Sequence, residues 1–337
     1  MNVESVVETK CEQLLLKALH FGASDLYIEP SEKHYEIQFR KYGKLIPVCK
    51  LPIDLGDRIV SYLKFRASLD ISEKRKPQSG AFQQHFLDRL YAFRISTLPS
   101  IYKKESLVIR ILLQNASYPI SSLCYSGNSA NRLLQLIHQK QGLILLCGAT
   151  GSGKTTTLYS LLNYCSENLA RHVISLEDPV ESSQSKMLQI QVNERAGITY
   201  ATGLKAILRH SPDVIMIGEI RDRETAEIAI EAALTGHLVL SSIHAKDTVN
   251  CLYRLLDLDI TFEEIRQAVI GIVAQCLIEL KESDERKAIY EILAEDDLLE
   301  AIINLQDGNQ FQLPYEETLA YQIANIETGE VHAPTSS

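Results

Sequence analysis

A chain of 337 residues is long enough for two domains of ordinary size. Its 45% hydrophobic and 23% charged residues describe a globular protein and exclude a disordered or collagen-like one. A formal net charge of −9 argues against a broad basic surface gripping duplex DNA, and no apolar run approaches the ~20 residues that a bilayer span requires. The opening Met1-Asn2-Val3-Glu4-Ser5 has neither a basic n-region nor an apolar h-region, so no secretory signal is expected. Seven dispersed cysteines form no C-x-x-C pair; they suit a reducing cytoplasm and predict no zinc site.

The first ~20 residues predict an amphipathic helix, with Val6, Leu14, Leu15 and Ala18 at helical spacing and Gly22 as the stop. Alternation then predicts strands over 26–28, 35–40 and 44–48, with a hairpin turn at Lys41-Tyr42-Gly43. Residues 54–70 read helical, and 82–86, 90–96 and 106–112 read as strands. Residues 1–113 are therefore expected to form an α+β domain. The polar, turn-rich stretch 114–128 is the expected linker. A helix over 129–140 opens the remainder, 129–337. There, buried strands at 143–147, 173–176, 214–217 and 238–241 alternate with helical stretches, which predicts an α/β domain with a parallel sheet. Residues 261–280 and 284–306 read as further helices, and the last ~20 carry no strong signal.

Gly148-Ala149-Thr150-Gly151-Ser152-Gly153-Lys154-Thr155 fits G-x-x-x-x-G-K-[ST], between the apolar strand Leu143–Cys147 and the helical stretch Thr156–Asn163. Gly148, Gly151 and Gly153 allow backbone N–H groups to turn inward around phosphates, and the helix start adds its positive dipole end. Lys154 is expected on the β and γ phosphates of ATP and the Thr155 hydroxyl on Mg²⁺. Thr150, Ser152 and Thr156 complete the expected binding set. Two later strands end in acids: Ile174-Ser175-Leu176 runs into Glu177, and Val214–Ile217 runs through Gly218 into Glu219. In an open parallel sheet, ligands lie beyond the carboxyl ends of the strands. Glu219 is the first choice for the metal or the attacking water, Glu177 the second for water activation. His237 and His244 flank the strand Leu238–Ser241 and are candidate sensors of the γ phosphate or of the second carboxylate.

These motifs resemble those of the secretion and pilus ATPase superfamily, the motors of type II secretion and type IV pili. Its four signatures appear in order: a Walker A loop at Gly148–Thr155, an Asp box at Ser175–Glu181, a Walker B region at Ser211–Asp222 and a His box at Thr235–His244. Gly22-Ala23-Ser24-Asp25-Leu26-Tyr27-Ile28-Glu29-Pro30, Pro77–Gly80 and Arg94–Pro99 are similar to its landmarks in the first domain. The resemblance implies a RecA-like ATPase domain preceded by a smaller, PAS-like α+β domain. It implies a cytoplasmic homo-hexamer at the inner face of the membrane, partnered by a polytopic platform protein, with no direct nucleic-acid binding. It also implies that first-domain arginines reach the nucleotide, Arg94 foremost, with Arg89 and Arg110. Residues 225–237 are similar to the assembly branch. Without a four-cysteine element or an extra docking domain, the chain looks like the ATPase of Gram-positive competence pili. Tyr27, Ala81, Ala92, His210-Ser211 and Cys276 depart from the family pattern. Two other readings stand beside the motor: a nucleotide-binding regulator with little turnover, and a DNA-translocating RecA-type ATPase.

Overall fold

The structure, a computed structural model, describes residues 3–280 and 285–328. They divide into two compact units between Ala116 and Ser117.

The first unit opens with α1 (Val3–Phe21), followed by β1 (Asp25–Pro30), β2 (His34–Lys41), β3 (Lys44–Pro52) and α2 (Ile53–Arg66). Strands β4 (Gln78–Phe86), β5 (Arg89–Pro99) and β6 (Glu105–Leu113) complete it. The six strands form an antiparallel sheet in the order β3-β2-β1-β6-β5-β4. Period-two alternation sends Leu26, Ile28, Ile37, Phe39, Phe93, Ile95, Leu107 and Ile109 into one core with α1 and α2. The other face carries a row set by register: Ala81 beside Arg94, Arg94 beside Arg110, and Asp25 between Arg110 and Arg40. Beneath the β5–β6 hairpin, the buried Lys64 ammonium donates to both oxygens of Glu105 and to the Glu73 carbonyl, so the ion pair is fully hydrogen-bonded.

The second unit begins with α3 (Ile120–Leu123) and α4 (Gly127–Ile137), then β7 (Gly142–Cys147), α5 (Lys154–Asn168), β8 (Val173–Glu177), β9 (Leu188–Gln191) and α6 (Tyr200–Ile207). It continues through β10 (Val214–Ile220), α7 (Arg223–Leu234), β11 (Leu238–Ile243), α8 (Thr248–Asp257), α9 (Phe262–Ala268), β12 (Val269–Glu279), β13 (Arg286–Ala294), α10 (Glu295–Gln306) and α11 (Leu319–Thr328). Its sheet runs β13-β12-β7-β11-β10-β8-β9, parallel throughout except for the antiparallel edge strand β13. The interior strands read as continuous apolar runs because helices cover both faces.

Three sequence expectations change. The helix expected over 261–280 is α9 followed by strand β12, and the helix over 284–306 is strand β13 followed by α10. Both strands are long apolar runs, which periodicity alone does not separate from a buried helix. The expected linker 114–128 is not one open segment. From Ser117 onward it belongs to the second unit, with Ile120 and Cys124 buried in its core and Cys124 bridged to Ala288. The final residues, for which the sequence gives no signal, include α11, and residues 329–337 lie outside the described part.

Candidate nucleotide site

Strand β7 ends at Cys147, and the loop 148–153 delivers the chain into α5. Two glycines are required by geometry. Gly148 has φ +143°, and a Cβ there would lie 2.5 Å from the Gln275 carbonyl oxygen; Gly153 has φ +87°, and a Cβ there would lie 2.9 Å from Gln275 Nε2. The first turn of α5 then leaves N–H groups without intrahelical partners beside the loop, an arrangement that receives phosphate oxygens. Gly151 and Thr150 are exposed on the loop, Ser152 is buried under it, and Thr155 and Thr156 start the helix, half-buried and exposed. Lys154 Nζ donates to the carbonyls of Gly148 at 2.7 Å and Ala149 at 3.0 Å. Burial holds its pKa below the usual ammonium range, while the charges of Cys147 and Glu219 pull it back up. Lys154 and Glu219 therefore share one electrostatic neighbourhood.

Glu219 lies near the end of β10, within an irregularity in register between Ile217 and Ile220. Ser241 and Ser242 of β11 hold this stretch by donating to the carbonyls of Ile217 at 2.8 Å and Gly218 at 2.7 Å. One Glu219 oxygen meets His244 Nε2 at 2.9 Å; the other accepts from Arg221 Nε at 2.8 Å and Nη2 at 2.7 Å. The carboxylate is mostly buried, while both partners stay open to solvent. Lys154, Thr155, Glu219 and His244 thus gather at the carboxyl edge of β7, β10 and β11.

Two expected members sit elsewhere. Glu177 is 2% exposed and faces inward. Its Oε1 accepts from Ser175 at 2.6 Å and Gln189 at 3.1 Å, and its Oε2 accepts from Tyr159 of α5 at 2.5 Å. Burial and the Glu177 charge push the Tyr159 phenol far above its usual pKa, so it remains an O–H donor. A carboxylate committed to three internal donors anchors α5 to β8 and is not presented to an attacking water. His237 precedes β11, at its amino end. Its Nδ1 lies 3.1 Å from the Ala232 carbonyl, and its own carbonyl accepts from Gly142 at the start of β7. At ~3.3 Å per residue, the strand places it about 20 Å along the sheet from His244. The two ends of a parallel strand lie on opposite edges of the sheet, which separates His237 from the phosphate loop.

In the first unit, Arg94 and Arg110 are neighbours on the row described above, and Arg110 Nε donates to Asp25 at 3.0 Å. Arg89 opens β5 and is exposed. Arg40, absent from the sequence expectation, joins the same row and donates to the Tyr27 hydroxyl at 3.0 Å. In the second unit the sequence reading missed Arg221, Tyr159 and Gln275. Arg221 lay two residues beyond a recognised acid; the other two carried no motif signal.

The donor set fits Mg²⁺ rather than a softer metal. It offers a threonine hydroxyl and a carboxylate, both hard oxygens, beside a loop built for phosphates that would supply the remaining ligands. Among the described residues, no group of three or more His, Cys, Asp or Glu forms a metal cluster.

The type II/IV secretion system protein family matches residues 2–318 of the chain. The competence protein ComGA of Bacillus subtilis is 40% identical over 326 residues, 92% of this chain and 91% of the relative. The type IV pilus assembly ATPase PilB of Pseudomonas aeruginosa is 43% identical over 267 residues, 79% of this chain and 47% of the relative. Among solved structures, the Legionella pneumophila ATPase DotB superposes with a TM-score of 0.74 at 22% identity, over 95% of this chain and 88% of that one. At that identity the likeness concerns the fold alone.

Proposed function

This chain belongs to the type II/IV secretion system protein family, and on that footing we propose that it is the ATPase motor that drives assembly of a competence pilus or a related pseudopilus. The observation that carries the ATPase reading is the pairing of a complete phosphate loop with Glu219, held at the tip of a neighbouring strand by His244 and Arg221. The near-full-length likeness to a competence protein supports the choice of machine.

Loop amides and the start of α5 bind the β and γ phosphates of ATP, and Lys154 exchanges its loop carbonyls for phosphate oxygens. Thr155 and Glu219 would hold Mg²⁺, which would neutralise the charge developing on the phosphates. Glu219 also orients the attacking water and draws its proton. His244 and Arg221 keep the carboxylate aimed, and either can report the loss of phosphate along β11 or α7. The motor is a homo-hexameric ring. The ring works peripherally at the membrane against a polytopic platform protein. Among the described residues no helix is long and apolar enough to cross a bilayer.

The test is complementation. In a host lacking the chromosomal copy, the wild-type chain restores surface pili and DNA uptake, and Lys154→Ala does not. Restoration by Lys154→Ala contradicts the motor reading. Purified protein that releases phosphate only at background, with or without platform-containing membranes, favours the regulator reading instead.

A further inference from the structure

Gln275 lies on β12 one residue beyond Ala274, the register partner of Cys147, and so stands level with the first residue of the phosphate loop. It is 2% exposed. Its Nε2 donates to the Ser152 carbonyl at 2.7 Å, a contact that spans 123 residues of sequence. Its backbone carbonyl and Nε2 are the atoms that a Cβ on Gly148 or Gly153 would meet first. Gln275 therefore forms the floor on which the loop rests.

We propose that Gln275 is the positioning residue of the phosphate loop, fixing the Ser152–Gly153 peptide plane so that the Gly153 N–H points into the phosphate nest. The geometry follows from the trans peptide bond. The carbonyl of Ser152 and the N–H of Gly153 project to opposite sides of one rigid plane. A carbonyl tied down to Gln275 turns the following N–H away from β12 and toward the bound anion. A second observation separates this role from simple packing. Gln275 Oε1 and Ser152 Oγ are both buried without a hydrogen-bond partner. A side chain selected for stability alone would not strand its amide oxygen in the interior, since an aliphatic residue of similar length would avoid it. The amide is kept for its one directed bond.

The inference rests on the ATPase reading, and its test measures binding of Mg·ADP to the full chain by calorimetry. Gln275→Met keeps the volume and deletes the donor; it weakens binding by about tenfold relative to wild type, with the thermal midpoint little changed. Gln275→Glu is isosteric, and its behaviour turns on protonation. At pH 8 the ionised carboxylate has no proton to donate and repels phosphate, so binding weakens more than in Gln275→Met. Burial raises the pKa of such a carboxyl, so toward pH 5.5 it becomes an O–H donor to Ser152, and the affinity relative to wild type recovers. A purely structural residue gives no such recovery. The proposal is overturned if Gln275→Met binds within twofold of wild type, if the Gln275→Glu deficit is the same at both pH values, or if either variant loses its fold. A wild-type chain that takes up no Mg·ADP defeats the ATPase reading itself, a result distinct from all three.

Discussion

Replacing Tyr159 by Phe removes one hydroxyl from the interior and tests whether Glu177 is an anchor. The ring keeps its packing, since Tyr159 is 5% exposed and the substitution adds no volume. The lost bond is a 2.5 Å O–H donation to a buried carboxylate. Hydrogen bonds to charged groups contribute roughly 1.5–3 kcal/mol. The upper end applies here. Ser175 and Gln189 both serve Oε1, so Oε2 loses its Tyr159 donor, and backbone bonds from Ser182 and Glu181 to the phenol vanish as well. A loss of about 3 kcal/mol shifts the folding equilibrium roughly 150-fold, since each 1.4 kcal/mol is a factor of ten. For a urea slope of about 3 kcal/mol per molar, the transition of the second unit moves down by about 1 M. Far-UV circular dichroism during urea titration reads this directly, with an unchanged slope as the control. Turnover at saturating Mg·ATP should fall by no more than about fivefold, because Glu177 keeps two donors and takes no proton from water. A midpoint shift under about 0.2 M, or a loss of turnover matching that of an attacking-base mutant, would refute the anchoring role.

Two further outcomes follow from the same site. Burial lowers the Lys154 pKa in the empty loop, whereas bound phosphate favours the ammonium, so the pKa rises on binding. Affinity is then complete below the empty-loop value and is lost as pH rises through the bound value. Between the two, binding takes up a proton. Calorimetry in buffers of different ionisation enthalpy at alkaline pH should show that uptake, and Lys154→Ala should abolish it; proton release would contradict the assignment. Glu291 of β13, buried, accepts from Thr248 N at 3.0 Å, Thr248 Oγ1 at 2.7 Å and Leu319 N at 3.1 Å. It ties the starts of α8 and α11 to the edge strand. Glu291→Ala should cost about 3–5 kcal/mol in urea unfolding, and Glu291→Gln, which keeps an acceptor, less than half of that; equal losses would mean that packing, not these bonds, is responsible.

The parts of the site that the sequence makes legible are those whose chemistry is local. Gly148–Thr155 must be contiguous to fold into a nest, and Glu219 and His244 each follow directly on a buried strand, so strand order alone brings them to one edge. Glu177 also follows a strand, yet its fate depends on Tyr159 and Gln189, which no spacing rule connects to it. His237 looks equivalent to His244 in a motif, but the direction of β11 decides which of them reaches the loop. Gln275 was invisible for a different reason. Val269–Glu279 is apolar enough to pass for a buried helix, and only as a strand beside β7 does it run beneath the loop. In the first unit, alternation located the strands, while the row of Arg40, Arg110 and Arg94 emerged only from inter-strand register.

The central claim is that Glu219 assists the splitting of a triphosphate seated around Lys154. Single-turnover hydrolysis of ATP by excess enzyme tests it most directly, comparing wild type with Glu219→Gln. Glu219→Gln should bind Mg·ATP near the wild-type affinity and hydrolyse it about 10²–10⁴-fold more slowly, the range for loss of a positioned general base. Hydrolysis by Glu219→Gln at the wild-type rate would contradict it.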